Sequence, residues 1–234
     1  MRWVKTLWRW LAIVLGLFAA ALFCAQLWFL GHVWWWVDHN PSSTSFMREQ
    51  LGQIQKENPG AQLKHTWVSY AAISDHLKRA VIASEDAGFN EHDGVDWDAI
   101  EKAYENNLKK GKVVRGGSTI TMQLAKNLFL SGERSYLRKG QELVIAYMIE
   151  HLMDKDRILE IYLNIAEWGV GVFGAQAAAN HHFNTTAAKL SNAQAARLAA
   201  MLPRPRFYDK NRGSAGLQRK TKMIMRAMGT VEAP

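Results

Sequence analysis

The chain has 234 residues, a formal net charge of +8 and an isoelectric point near 9.6. That length suits one domain plus an anchor, and the charge suits nucleic acid, an anionic membrane or a phosphate-bearing substrate. No nucleic-acid-binding motif is present, and the lone Cys24 excludes a disulfide framework.

Arg2, Lys5 and Arg9 make residues 1–9 a basic tail, and residues 10–37 carry no acidic or basic side chain apart from His32. At ~1.5 Å per residue, a helix from Trp10 to Leu30 is about 31 Å long, enough to cross a hydrocarbon core of ~30 Å. We therefore assign 10–37 as a transmembrane anchor. The positive charge before it and Asp38 after it put residues 1–9 in the cytoplasm and the remainder outside. Trp8, Trp10, Trp28 and Trp34 to Trp36 sit where interfacial aromatic belts belong. The competing assignment is a cleaved signal peptide. The run is longer than the apolar region of one, no small-x-small cleavage site follows, and Phe23 before Cys24 does not suit lipoprotein processing. Residues 38–60 read as a polar linker and approach segment, with Pro41 near its start and a turn at Pro59–Gly60.

From Gln62 to Ala72 the pattern predicts an extended segment. Leu77, Ala80 and Val81 are spaced as one face of a helix that closes at Ser84, Glu85 and Asp86, before Gly88 breaks it. Glu85 is thus presented at a helix end beside a short loop. Asp96 predicts the cap of the next helix, with Trp97, Ile100, Tyr104 and Leu108 on one stripe and Gly111 as its stop. Asp96-Trp97-Asp98 also matches the D-x-D of metal-using nucleotide-sugar transferases. Those enzymes need an α/β nucleotide-binding sheet, and no βαβ alternation is present, so the cap reading stands. Gly116–Gly117 followed by Ser118–Thr119 predicts a turn feeding a helix N-terminus, whose free N–H groups suit a phosphate or another anion. An ordinary N-cap with surface polar neighbours is the alternative. Gln123 and Lys126 share a face of that helix.

Ser135 predicts a further N-cap, with Leu137, Val144, Ile145, Met148 and Leu152 as the apolar stripe. Arg138 and Glu142, at i and i+4, share a face, and by periodicity alone Glu142 is an ordinary surface ion pair. Asp154 starts a helix with Ile158, Ile161, Tyr162 and Ile165 facing the core. Gly169, Gly171 and Gly174 predict a flexible loop, and His181–His182 reads as surface with no partner at ligand spacing. Ser191 and Gln194 form a capping box for a helix ending at Pro203. Gln218 to Met228 reads as a last helix, basic on one side and Met-rich on the other. The sum is a mainly α domain, with no internal repeat and no H-E-x-x-H zinc motif.

One set of spacings is more specific. E-D-x-x-F-x-x-H-x-G-x-D (Glu85, Asp86, Phe89, His92, Gly94, Asp96) is followed by G-S-T-I-x-x-Q-x-x-K-N (Gly117 to Asn127). Then come Arg138-Lys139-x-x-Glu142 and Lys155 through Ile158-Leu159-Glu160-x-Tyr162-Leu163-Asn164. These four resemble, in order, the first four motifs of the glycosyltransferase family 51 peptidoglycan polymerases, in their monofunctional, membrane-anchored form. The resemblance covers roughly Ile73 to Phe183. It implies a lysozyme-like fold for a catalytic domain at 61–234. A fifth motif near Arg219 to Met228 is loose, so no residue is carried over from it. Family members usually have glutamine at both 122 and 123, whereas this chain has Met122; either that position packs, or one polar contact is lost.

The resemblance implies polymerisation of lipid II into β-1,4 glycan strands with inversion, at the outer face of the bacterial inner membrane. Sugar chemistry uses paired carboxylates. Glu85 is implied as general base on the acceptor GlcNAc 4-hydroxyl, with Glu142 orienting cations or assisting departure of undecaprenyl pyrophosphate. Lys126, Arg138 and Lys139 would neutralise that leaving group. Asp86, Phe89 and His92 would shape the site, and Ser118, Thr119, Gln123 and Asn127 would lie against sugar or phosphate oxygens. No metal ligands are assigned and no cofactor is required; a divalent cation, Mg or Mn, bridging the pyrophosphate is left open. Expected partners are lipid II, the growing glycan chain and the membrane, with other cell-wall synthesis or division proteins left open. The absence of S-x-x-K and K-T-G predicts no peptide cross-linking. A lysozyme-like hydrolase, or lytic transglycosylase, would need one acid carboxyl but no cationic cluster. An inactive scaffold would not need Glu85 and Glu142.

Overall fold

The computed structural model describes residues 2–110, 117–130, 132 and 135–234. It divides into two units, residues 1–39 and 40–234. The first is a single helix, α1 (Arg2–Asp38), with large apolar side chains exposed from Trp3 to Trp35. Its mean hydropathy reaches 2.3, and the stretch responsible is 0 % buried. A helix this long and this apolar is suited to hydrocarbon rather than to water. The chain carries a single-pass membrane helix ahead of a mainly α domain.

In the second unit, α2 (Ser45–Glu57) is capped by Thr44, whose Oγ1 accepts from Met47 N at 3.0 Å. The segment read as linker and approach therefore contributes a helix to the domain. Next come β1 (Lys64–His65), α3 (Asp75–Glu85), α4 (Trp97–Lys110), α5 (Ile120–Phe129), α6 (Tyr136–Leu152) and α7 (Lys155–Ile165). The chain continues through β2 (Glu167–Gly169), β3 (Val172–Phe173), α8 (Ala175–Phe183), α9 (Asn192–Met201), α10 (Pro205–Lys210) and α11 (Ala215–Ala227).

Two groups of helices make the core. In one, α3, α9 and α11 pack together, and Leu77, Ala80 and Val81 of α3 and Ala195, Ala196, Leu198 and Ala199 of α9 are buried. The alanines let the axes approach closely. In the other, α5 packs against α2, α6 and α7, and α7 buries Ile158, Ile161, Tyr162 and Ile165. Each such large aliphatic side chain contributes about 1.5–3 kcal/mol on leaving water. The capping box of Ser191 and Gln194 is formed, and Ser135 caps α6.

Four sequence expectations are corrected. The buried face of α6 is Glu142, Ile145, Ala146 and Ile149, whereas Leu137 is 88 % exposed and Val144 43 %. Val144 and Ile145 lie about 100° apart on a helix, so they cannot share the centre of one stripe. On α4, Trp97, Tyr104 and Leu108 point outward, 60–65 % exposed, and Ala103 faces the core. Its expected stop, Gly111, lies outside the described residues, as does Gly116. The glycines at 169–174 build a buried hairpin rather than a flexible loop. β2 and β3 pair antiparallel, β3 pairs in parallel with β1, and Gly171 turns the chain at φ +69°. His181 and His182 are both partnered: His181 Nε2 lies 2.9 Å from Asp209 Oδ1, and His182 Nε2 donates to Trp168 O at 2.8 Å. Arg212 contacts the same Asp209 oxygen at 2.6 Å. Of the three groups close enough together to hold a metal ion, His181 and Asp209 thus lie against the Arg212 guanidinium, and His182 Nε2 is taken by Trp168 O.

Candidate active site

Glu85 is the last residue of α3, and Asp86 is its C-cap. The loop that follows is tied down at several points. Asp86 Oδ1 accepts from His92 Nε2 at 2.9 Å, and Gly94 N donates to His92 Nδ1 at 3.2 Å. That pattern fixes His92 as the tautomer with its proton on Nε2. Lys155 Nζ donates to His92 O at 2.6 Å and to Glu150 at 2.9 Å, and lies 4.7 Å from the centre of the Phe89 ring. Phe89 is fully buried. Gly94 has φ +86°, and a Cβ there would meet Glu150 Cγ at 2.8 Å. Asp86, Phe89 and His92 therefore act on the loop's shape.

Asp86 also reaches the start of α5. Its Oδ2 accepts from Ile120 N at 2.9 Å, and the N-cap Thr119 Oγ1 accepts from Met122 N at 3.1 Å. The anion expected at this helix terminus is supplied from within, by the Asp86 carboxylate. Thr119 Oγ1 further donates to Gly94 O at 2.6 Å, so its hydroxyl is committed to the fold. The turn comes so close to α4 that a Cβ at Gly117 would stand 2.9 Å from Ile100 Cα. Met122 is fully buried, so position 122 packs in the core.

α5 and α6 supply the rest. A cavity of about 470 Å³ is lined by Glu85, Ser118, Gln123, Lys126, Arg138, Lys139 and Glu142, which brings seven of the twelve expected residues together. Glu142 is only 3 % exposed. Its carboxylate accepts from Arg138 Nη1 at 3.0 Å and from Lys139 Nζ at 2.6 Å, and Lys139 also donates to Ser118 Oγ at 3.0 Å. This is a buried pair, not the surface pair periodicity favours. Its geometry suits holding the cations in place. Arg138 Nε is buried without a hydrogen-bond acceptor among the described residues. Lys126 Nζ likewise has no hydrogen-bond or ion-pair partner among them. Burial pulls its ammonium below the ordinary 10.5; Glu142 and Glu85 oppose that pull, and Arg138 and Lys139 add to it.

A second cavity, of about 840 Å³, also has Glu85, Ser118 and Gln123 in its wall, together with Asp86, Thr119 and Lys220. Lys220, on α11, was not singled out from the sequence because its motif is loose. Burial lowers its pKa and the Glu85 charge raises it. Glu85 thus borders two cavities, each with an amine facing it. Phe89, His92 and Asn127 line neither. Glu85 Oε2 accepts from Gln123 Nε2 at 3.1 Å.

The Transglycosylase family model matches residues 49–229. The chain is 62 % identical over 234 residues to a biosynthetic peptidoglycan transglycosylase of Herminiimonas arsenicoxydans, with all of both chains covered. It is 61 % identical to one of Janthinobacterium sp. (strain Marseille), again over the full length of both. A third, of Bordetella pertussis, is 56 % identical over 233 residues, covering 97 % of this chain and 96 % of that one. With a family match across most of the domain and relatives this similar end to end, the chain belongs to the transglycosylase family.

Proposed function

We propose that this enzyme is a peptidoglycan glycosyltransferase that joins lipid II units into β-1,4 linked glycan strands and does not cross-link peptides. The observation that carries the reading is the position of Glu85 on the wall shared by two cavities, one of them cationic. A polymerase must bring two substrates to one base, and each brings a pyrophosphate. The acceptor's GlcNAc 4-hydroxyl, entering from the Lys220 side, gives its proton to Glu85 as its oxygen bonds to C1 of the donor MurNAc. The bond from C1 to the pyrophosphate oxygen breaks on the opposite face, which inverts the anomeric centre. The electron pair leaves with undecaprenyl pyrophosphate, whose charge Lys126, Arg138 and Lys139 neutralise. Glu142 holds Arg138 and Lys139 in place and takes no proton in this scheme.

The donor set does not favour a protein-built divalent cation site. Glu142 is taken by Arg138 and Lys139, Glu85 accepts from Gln123, and among the described residues the remaining charged groups of the smaller cavity are cations. A Mg or Mn ion would have to be carried by the pyrophosphate itself, and no step is routed through one. The positive charge of Arg2, Lys5 and Arg9, at the N-terminal end of α1, supports a cytoplasmic N-terminus and a periplasmic domain in the inner membrane. The outward stripe of Trp97, Tyr104 and Leu108 on α4 suits contact with the lipid that carries the substrate. The test is to feed lipid II to the purified full chain in detergent. Polymer with release of undecaprenyl pyrophosphate is expected. A hydrolase would leave lipid II unpolymerised and cut preformed glycan instead.

A further inference from the structure

Tyr162 is far from the Glu85 motif in sequence, and its ring belongs to the core face of α7. Its hydroxyl does not end in the core. It donates to Gln123 Oε1 at 3.1 Å, while Gln123 Nε2 donates to Glu85 Oε2 at 3.1 Å. An amide can present either end to a neighbour, and only one end suits a carboxylate. A phenol that donates to the carbonyl end leaves the NH2 end for Glu85. Burial, with the Glu85 and Asp86 charges, raises the Tyr162 pKa well above its ordinary value, so the phenol keeps its proton and remains a donor. The other Glu85 oxygen, Oε1, has among the described residues only the long 3.4 Å contact from Ser84 Oγ.

We propose that Tyr162 is a positioning residue for Glu85, acting through Gln123. It fixes the amide so that Oε2 is held and Oε1 is the oxygen that takes the acceptor proton. The inference rests on the reading of Glu85 as general base. It assigns a part in the reaction to a tyrosine whose burial alone would mark it as packing.

The experiment is a double-mutant cycle on the full chain in detergent, with lipid II turnover normalised to folded protein. Tyr162→Phe keeps the ring and removes the hydroxyl. The expected result is a fall in kcat of about tenfold with KM within about twofold, the size of one lost hydrogen bond in a charged chain. Gln123→Met, which fills the same space without hydrogen bonds, should lose at least as much. In the Gln123→Met background, Tyr162→Phe should change kcat by less than about twofold, because the contact it breaks is already gone. The same tenfold loss in both backgrounds would make Tyr162 merely structural and overturn the proposal. Full kcat in Gln123→Met would overturn it whether or not the tyrosine variants fold. Glu85→Gln serves as the companion: if it turns over normally, the base reading itself fails. If it is dead while the cycle is additive, only the role of Tyr162 fails.

Discussion

Lys126 and Met122 lie four positions apart on α5, yet their truncations should fail in opposite ways. Met122 has 0 % exposure, wedged between α5 and its neighbours. Met122→Ala leaves a cavity there, at a cost of about 2–5 kcal/mol. For a domain of this size that lowers Tm by roughly 4–20 °C. Nothing of Met122 reaches either cavity at Glu85, so activity per folded molecule should be kept. Lys126 lines the cationic cavity and its ammonium has no partner among the described residues. Lys126→Ala removes a partly desolvated charge, so stability should change by less than about 1 kcal/mol. Its effect falls on the leaving pyrophosphate. A fixed charge aimed at developing anionic charge in a dry site contributes about 3–4 kcal/mol, or roughly 100- to 1000-fold in rate. The assay is the initial rate of lipid II polymerisation divided by folded protein, with a thermal melt of each variant. Equal loss of specific activity in the two variants would refute the reasoning, because position 122 would then face substrate.

Three further outcomes follow from the geometry. Activity should decline with rising pH through a value below 10.5, because the active Lys126 is the ammonium and burial depresses its pKa against Glu142 and Glu85 and alongside Arg138 and Lys139. Lys126→Arg should move that limb upward, since guanidinium stays charged above pH ~12; an unmoved limb would assign it elsewhere. His182 is held neutral, with burial lowering its pKa to about 4 from 6.5. The unfolded chain therefore takes up the proton first as pH falls, and stability is lost from about pH 6.5 down to about 4. The half-buried site reduces that to roughly 1–2 kcal/mol, and urea titrations of His182→Gln should show a correspondingly flatter pH dependence. Lys155→Met should lower the melting temperature markedly, by about 3–5 kcal/mol of stability, because Glu150 is left buried without its cation; an unchanged melt would show that the His92 loop is held by other means.

Local chemistry was legible where it acts within a few residues. Asp96, Ser135 and Ser191 cap the helices their side chains announce, and Glu85 does close α3. Phase and partnership were less legible, because both depend on what packs against an element. Two adjacent β-branched residues, Val144 and Ile145, gave no way to choose the buried face of α6 until α5 was in place. The Gly169–Gly174 segment reads as loose until β1, from a hundred residues earlier, pairs with β3. His181 has no ligand-spaced neighbour in sequence, yet Asp209 and Arg212 come to it from α10 and the turn after it. Lys220 carried no local sign of the site, and Tyr162, though part of the fourth motif, read as a core-face residue, since each reaches the site from a helix distant in the chain. The four motifs made the site recognisable, while the sharing of Glu85 between two cavities is a property of the fold alone.

The central claim is that Glu85 accepts the proton of the attacking hydroxyl, and Glu85→Gln tests it most directly. Glutamine has nearly the same shape but no basic oxygen to receive that proton. With lipid II as substrate and a melt close to that of the unmodified chain, the polymerisation rate should fall at least about 100-fold. A well-folded Glu85→Gln protein that polymerises lipid II at close to the unmodified rate would contradict the account.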